Sequence, residues 1–178
     1  MQALEFAILN WIQLHLRCAF LDAVTPAFSR LCAHGELWIV LAICLLIVRR
    51  SRRTGLAVSC GLALDFLACN VWLKPLVGRI RPYEVNTAVQ LLVPRLADFS
   101  FPSGHTAVSF AATAALKASG SRLWLPALAV SILMGLSRLY LYVHWPSDVL
   151  FGAVLGWLCG WAGWKLAELL VKWRRKTP

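Results

Sequence analysis

Three short runs carry residue types that do chemistry on anions: Lys74–Pro82 (KPLVGRIRP), Pro102–His105 (PSGH) and Ser137–Asp148 (SRLYLYVHWPSD). Between them lie the cations Lys74, Arg81 and Arg138, the histidines His105 and His144, the carboxylate of Asp148, and the Ser103–Gly104 turn. A phosphate ester near neutral pH carries a charge of about two and several strong acceptor oxygens. Cations neutralise it, and the planar fork of arginine engages two oxygens at once. Serine or glycine ahead of an apolar helix caps it and leaves first-turn amides pointing at an anion. His105, at that same helix end, is placed to give a proton to a leaving oxygen. His144 and Asp148 stand four apart, with Pro146 between them as a helix-start signal. A carboxylate in the first turn can reach back to one imidazole nitrogen, fix the tautomer, and leave the other nitrogen to attack phosphorus. No further cluster of histidines or carboxylates completes a metal site.

These runs sit at the ends of apolar stretches. The chain has 178 residues, 60% of them hydrophobic, with a mean hydropathy of +0.68, which favours a membrane class over a soluble domain. The expected fold is an all-α integral membrane helical bundle. Five spans are predicted over Leu37–Val48, Gly55–Leu73, Thr106–Ala118, Leu123–Leu141 and Val149–Val171, the first and third of them short. In Ala3–Leu16, Leu4, Ile8, Trp11, Ile12 and Leu16 recur at helical spacing among polar residues, which predicts a helix lying in the interface, with a sixth span to about Phe20 as the alternative. Leu21–His34 reads as a turn and short helix, with Asp22 and Thr25–Pro26 as start signals. Residues 1–34 are thus an N-terminal interfacial segment and 35–178 the transmembrane core. The first residues lack the charged n-region of a signal peptide.

Charge sets the orientation. The net charge of +10 raises nucleic acid as a partner, but the cations lie between apolar spans, where loop charges of a membrane protein are expected, so no nucleic acid is predicted. Arg49, Arg50, Arg52, Arg53, Lys117, Arg122, Lys165, Lys172, Arg174, Arg175 and Lys176 fall on one side if five spans alternate. That is eleven of eighteen cations, and the positive-inside rule makes this side cytoplasmic. Lys74, Arg79, Arg81, Arg95 and Arg138 fall on the other side with all three motifs, and an anionic ligand explains them. Trp38, Trp72, Trp124, Trp145 and Trp173 lie near span ends, as an interfacial aromatic belt would place them. The six scattered cysteines, without CxxC spacing, read as small buried residues.

The three motifs together resemble those of the type-2 phosphatidic acid phosphatase superfamily. Lys74 with Arg81–Pro82 matches its K-x6-R-P element, Pro102–His105 its P-S-G-H element, and Ser137–Arg138, His144 and Asp148 its S-R-x5-H-x3-D element, in order and without departure at a motif position. The resemblance covers about Leu56 to Trp164. It implies a phosphohistidine mechanism without metal or cofactor, with His144 as nucleophile, Asp148 orienting it, and His105 as the acid that protonates the leaving group and then assists water. It also implies that Lys74, Arg81 and Arg138 hold the phosphoryl oxygens, assisted by Ser103 and the amide of Gly104, at the outer face of the inner membrane.

The implied substrate is a lipid phosphate in the bilayer: undecaprenyl pyrophosphate, phosphatidylglycerophosphate or phosphatidic acid, the first suiting an outward site that recycles a carrier. A phosphotransferase using the same phosphohistidine is the alternative, followed by a non-catalytic lipid-binding scaffold. A vanadium haloperoxidase shares the residue set but suits a soluble chain. Outside the motifs, Arg79, Glu84 and Asp98 read as solvated loop charges, with phosphate contact an alternative for Arg79. Asp65, inside the second span, reads as a structural hydrogen-bonding carboxylate, with a role in lipid entry or proton balance as the alternative. Asn70 reads as a partner of neighbouring helix backbone, and His15 and His34 as interfacial.

Overall fold

The computed structural model describes residues 2–30 and 35–174, where the secondary structure is entirely helical. His34, Arg175 and Lys176, named above, lie outside the described residues. Two N-terminal helices, α1 (Gln2–His15) and α2 (Ala19–Arg30), precede α3 (Glu36–Ile47). A short turn at Arg49–Ser51 leads into α4 (Arg52–Asp65), which runs on through a π-helical stretch, Phe66–Leu73, into α5 (Lys74–Val77). After α6 (Pro82–Val85) comes the long loop to α7 (Gly104–Ala118), then α8 (Trp124–Tyr140) and α9 (Pro146–Arg174).

The predicted spans each coincide with a helix, with bounds shifted by a few residues. The stretch Arg49–Val85 and α9 are long and apolar enough to cross a bilayer, while α3 and α8 are apolar but shorter. At about 1.5 Å per residue, the 29 residues of α9 reach about 43 Å, well past a hydrocarbon core of about 30 Å. Helix α7 is the inner helix: Ala107, Ala111, Ala112 and Ala115 are fully buried, and it packs against α4, α8 and α9. Gly156 and Gly160, one turn apart on α9, make this approach possible. A Cβ on either would collide with the carbonyl oxygen of Ala107 or Ala111 on α7. Small residues at four-residue spacing let helix backbones meet where apolar burial alone gives no drive to associate.

The bundle has two chemically distinct ends. Arg53, Ser119 and Glu168 line one cleft, so the α3–α4 arginines, the α7–α8 turn and the end of α9 share an end. The three motifs occupy the other. Helix α1 lies against the motif end: Gln13 Nε2 donates to the Tyr140 carbonyl and the Tyr142 hydroxyl donates to Asn10 Oδ1, both at 2.8 Å. Leu9, fully buried, packs into a cluster with Tyr83, Leu141, Val143 and Trp145.

Two expectations are corrected. The second helix starts at Ala19 and contains Pro26, because Asp22 does not act as a helix start; its carboxylate accepts from the Tyr140 hydroxyl at 2.6 Å and from Arg17 Nε at 3.3 Å. Of the tryptophans expected in an aromatic belt, Trp72 and Trp173 are exposed, but Trp38 and Trp145 are buried and do not belong to it. Those two are core residues whose indoles donate to Ser109 Oγ at 3.0 Å and to the Ile80 carbonyl at 2.9 Å.

Candidate active site

Lys74 arrives at the motif end on a helix whose turns widen over Phe66–Leu73. An i→i+5 stretch changes the rotation per residue, and such stretches concentrate at functional sites. Gly78, with φ +59°, then ends the helix and turns the chain into the loop that carries Arg79 and Arg81. A Cβ at Gly104 would lie 3.5 Å from Lys74 Nζ and 3.4 Å from Asn70 Oδ1, so the start of α7 abuts the end of this helix.

A cavity of about 530 Å³ opens here, its wall formed in part by Lys74, Arg81, Gly104, His105 and His144. Five of the eight expected residues therefore face one space. Its apolar side is formed by Ile39, Leu62, Phe66 and Val108, running between α3, α4 and α7. Arg138, Ser103 and Asp148 stand behind the wall. Arg138 is 2% exposed, donates from Nε and Nη2 to Ser137 Oγ at 3.1 and 3.0 Å, and lies close enough for its charge to act on both imidazoles. Ser103 is the residue before α7, but its hydroxyl pairs with Thr106 Oγ1 at 3.0 Å instead of turning to the cavity, and its amide donates to the Asp148 carbonyl.

His144 is 1% exposed, in the connection between α8 and α9. Its Nδ1 lies 2.8 Å from the Ser100 carbonyl, an acceptor only, so Nδ1 carries the proton and Nε2 the lone pair. Nε2 sits 3.3 Å from Arg81 Nη1, on the cationic side of the cavity. Burial, then the charges of Arg81, Arg138 and Lys74, hold the imidazole well below its usual range, which keeps it neutral.

Asp148 stands against His144, four residues away, without a direct hydrogen bond to it. Its Oδ2 lies 3.6 Å from Nδ1, beyond hydrogen-bond distance, because it is engaged by the Trp145 amide at 2.9 Å and the Ser100 hydroxyl at 2.5 Å. Asp148 thus acts on His144 through Ser100, a residue that sequence reasoning passed over. The only local signal was its place just ahead of Phe101–Pro102.

The loop charges also differ from expectation. Arg79 is not solvated: Nη1 donates to Asp148 Oδ1 at 2.5 Å and Ser147 Oγ at 2.7 Å, and Nη2 to Glu5 Oε2 at 2.6 Å. Asp98 is not a bystander either. It pairs with Lys74 Nζ and, through Oδ1, with Arg81 Nη2 at 2.7 Å. Burial pushes its carboxyl up, but the hydrogen bonds and charges of Lys74 and Arg81 outweigh this and hold it at about 2. Asp65 is 1% exposed and forms part of the cavity wall, and its Oδ1 has no hydrogen-bond partner among the described residues. Glu84 and Arg95 form an exposed pair, as solvated loop residues do. Among the described residues no group of three or more His, Cys, Asp or Glu is arranged to hold a metal.

A family model described as the PAP2 superfamily matches residues 54–172. The undecaprenyl-diphosphatase of Sulfolobus acidocaldarius is 33% identical over 120 residues, which cover 67% of this chain and 58% of that protein. The chain therefore spans little more than half the length of this relative. Undecaprenyl-diphosphatase BcrC of Bacillus subtilis is 32% identical over 154 residues, 84% of this chain and 77% of its own. Among solved structures, Aquifex aeolicus LpxE superposes with a TM-score of 0.79 at 30% identity, over 90% of this chain and 94% of that one. The transmembrane PAP2 type phosphatidylglycerolphosphate phosphatase of Bacillus subtilis gives 0.74 at 25% identity, over 99% and 89%. The match spans all three motifs and the helices that bring them to one end of the bundle, and so the chain belongs to the PAP2 superfamily.

Proposed function

We propose that this chain is a metal-independent membrane phosphatase that removes phosphate from a lipid through a phosphohistidine on His144, with its site at the outer face of the membrane. One observation carries the reading: the Ser100 carbonyl accepts a hydrogen bond from Nδ1–H of a buried imidazole, leaving Nε2 beside Lys74 and Arg81 in a cavity with an apolar flank. In the first step Nε2 bonds to phosphorus as the bond to the leaving oxygen breaks, and His105 protonates that oxygen. In the second, water attacks the phosphohistidine, His105 takes its proton, and inorganic phosphate leaves. Lys74, Arg81 and the Gly104 amide contact the phosphoryl oxygens, and Arg138 adds charge from behind. The apolar flank suits a lipid whose tail stays in the bilayer. The relatives' names make polyprenyl diphosphates and phosphatidylglycerophosphate the candidate substrates.

The test is phosphate release by detergent-purified protein in EDTA, from an isoprenyl diphosphate, phosphatidylglycerophosphate and phosphatidic acid, with His144→Ala as control. Release that survives EDTA and vanishes in His144→Ala is the expected result. Release restored only by added metal, or retained without His144, would overturn the mechanism. Orientation is tested by Ser51→Cys in the arginine-rich turn. It should resist an impermeant reagent applied outside intact cells, and ready labelling would invert the topology.

A further inference from the structure

The Asp98 carboxylate sits where a phosphoryl group is expected, paired at once with Lys74 and Arg81. Arg81 does not depend on that carboxylate for placement. Arg81 is held by three main-chain carbonyls: Nε donates to Asp98 O at 2.9 Å, Nη1 to Val143 O at 2.7 Å, and Nη2 to Phe99 O at 3.3 Å. The Lys74 backbone is set by the helix that carries it. The Asp98 side chain, by contrast, is 49% exposed, so it can swing off the cations without breaking a packed core. It cannot leave the neighbourhood, because its own carbonyl is tied to Arg81 Nε and the Ser100 amide is tied to the Arg79 carbonyl at 2.8 Å. When phosphate takes its place, the carboxylate stays within a side chain's length of the bound group.

We infer that Asp98 is a specificity-determining residue that tilts the site toward lipid phosphomonoesters and against lipid diphosphates. The reason is charge. A phosphomonoester that takes the carboxylate's place on Lys74 and Arg81 brings one phosphoryl group, which those two cations hold. A diphosphate brings a second anionic phosphoryl group, which must lie at the mouth of the cavity, where the displaced carboxylate repels it. The inference rests on the phosphatase reading above and narrows its substrate. Its effect on anion preference can be read without turnover, because it concerns which anion the site holds.

The experiment compares the intact protein with Asp98→Asn and Asp98→Glu, using the same isoprenyl chain as monophosphate and as diphosphate. The ratio of kcat/KM for diphosphate over monophosphate should rise on the order of tenfold in Asp98→Asn and stay unchanged in Asp98→Glu, as one charge a few ångströms away requires. An equal gain on both substrates, or an equal loss on both, overturns the inference. A binding measurement keeps it testable if no variant turns over. Inorganic phosphate and pyrophosphate are titrated against thermal unfolding of the wild type and Asp98→Asn, and the preference for pyrophosphate should rise in the variant. Should wild type hydrolyse neither lipid while this anion preference shifts, the phosphatase reading fails and the role of Asp98 stands. Hydrolysis without any shift in preference fails the role of Asp98 alone.

Discussion

Arg79 and Asp148 form a 2.5 Å ion pair in which the carboxylate is wholly buried and the guanidinium bridges it to Glu5 on α1. The N-terminal helix is thereby coupled to the residue that anchors Ser100, and through Ser100 to His144.

Removing Arg79 leaves the Asp148 charge buried without its counter-ion, a situation that costs about 3–5 kcal/mol when nothing relaxes. The carboxylate then shifts, and the Ser100 carbonyl that sets the imidazole shifts with it. We expect Arg79→Ala to lower kcat on the order of a hundredfold with little change in KM, and Arg79→Lys to restore part of it. A rise in KM with kcat intact would instead make Arg79 a phosphate ligand. Glu5→Gln, which keeps the Arg79–Asp148 pair, should have the smaller effect.

Ser100→Ala and Asp148→Asn separate the two links of the chain that holds His144. The alanine variant keeps the carbonyl that accepts from Nδ1 and loses only the hydroxyl bond to Asp148, so about a tenfold loss of kcat is expected. Asp148→Asn also loses the charge that pairs with Arg79, and its loss should be larger. The reverse order in measured kcat would show that the hydroxyl, and not the carboxylate, anchors the loop.

The His144 imidazole should remain neutral as pH falls through the ordinary histidine range near 6.5, because burial and three cations disfavour its charged form. The unfolded chain binds that proton at a higher pH than the folded one. The stability contributed by the neutral imidazole is therefore present above about 6.5 and is lost progressively as pH drops toward the folded value. An NMR titration of His144 in detergent micelles checks the direction. Arg81→Gln should move the midpoint up toward 6.5, and a midpoint already there in the wild type would contradict the burial seen here.

Gly156→Ala should destabilise the bundle by about 1–3 kcal/mol, the usual cost of overpacking, since the added methyl falls on the Ala107 carbonyl. Because α9 begins at Pro146 and carries Asp148 in its first turn, activity should fall along with the thermal midpoint. Val154→Ala, at an exposed position of the same helix, should change the midpoint far less.

The motifs, the helical class and the grouping of Lys74, Arg81, His105 and His144 were determined by the sequence alone, because each is a local pattern: a residue type at fixed spacing beside an apolar stretch. Chain order then had little freedom, since every motif ends or begins a helix and alternating helices bring those ends together. Only the tertiary structure decided what surrounds the reacting groups. Asp98 and Arg79 read as solvated charges in one dimension, because nothing local distinguishes a loop carboxylate in water from one seated on Lys74 and Arg81. The partners of Arg79 come from Glu5 and Asp148, at opposite ends of the chain, and an ion pair between distant segments leaves no trace in spacing. The way Asp148 meets His144 was hidden for the same reason: a four-residue separation brings the two within 3.6 Å, but the Ser100 loop, arriving from elsewhere, supplies the hydrogen bonds to both groups. Trp38 and Trp145 likewise look interfacial by position, until the packing of α7 and the Ile80 carbonyl give their indoles partners in the core.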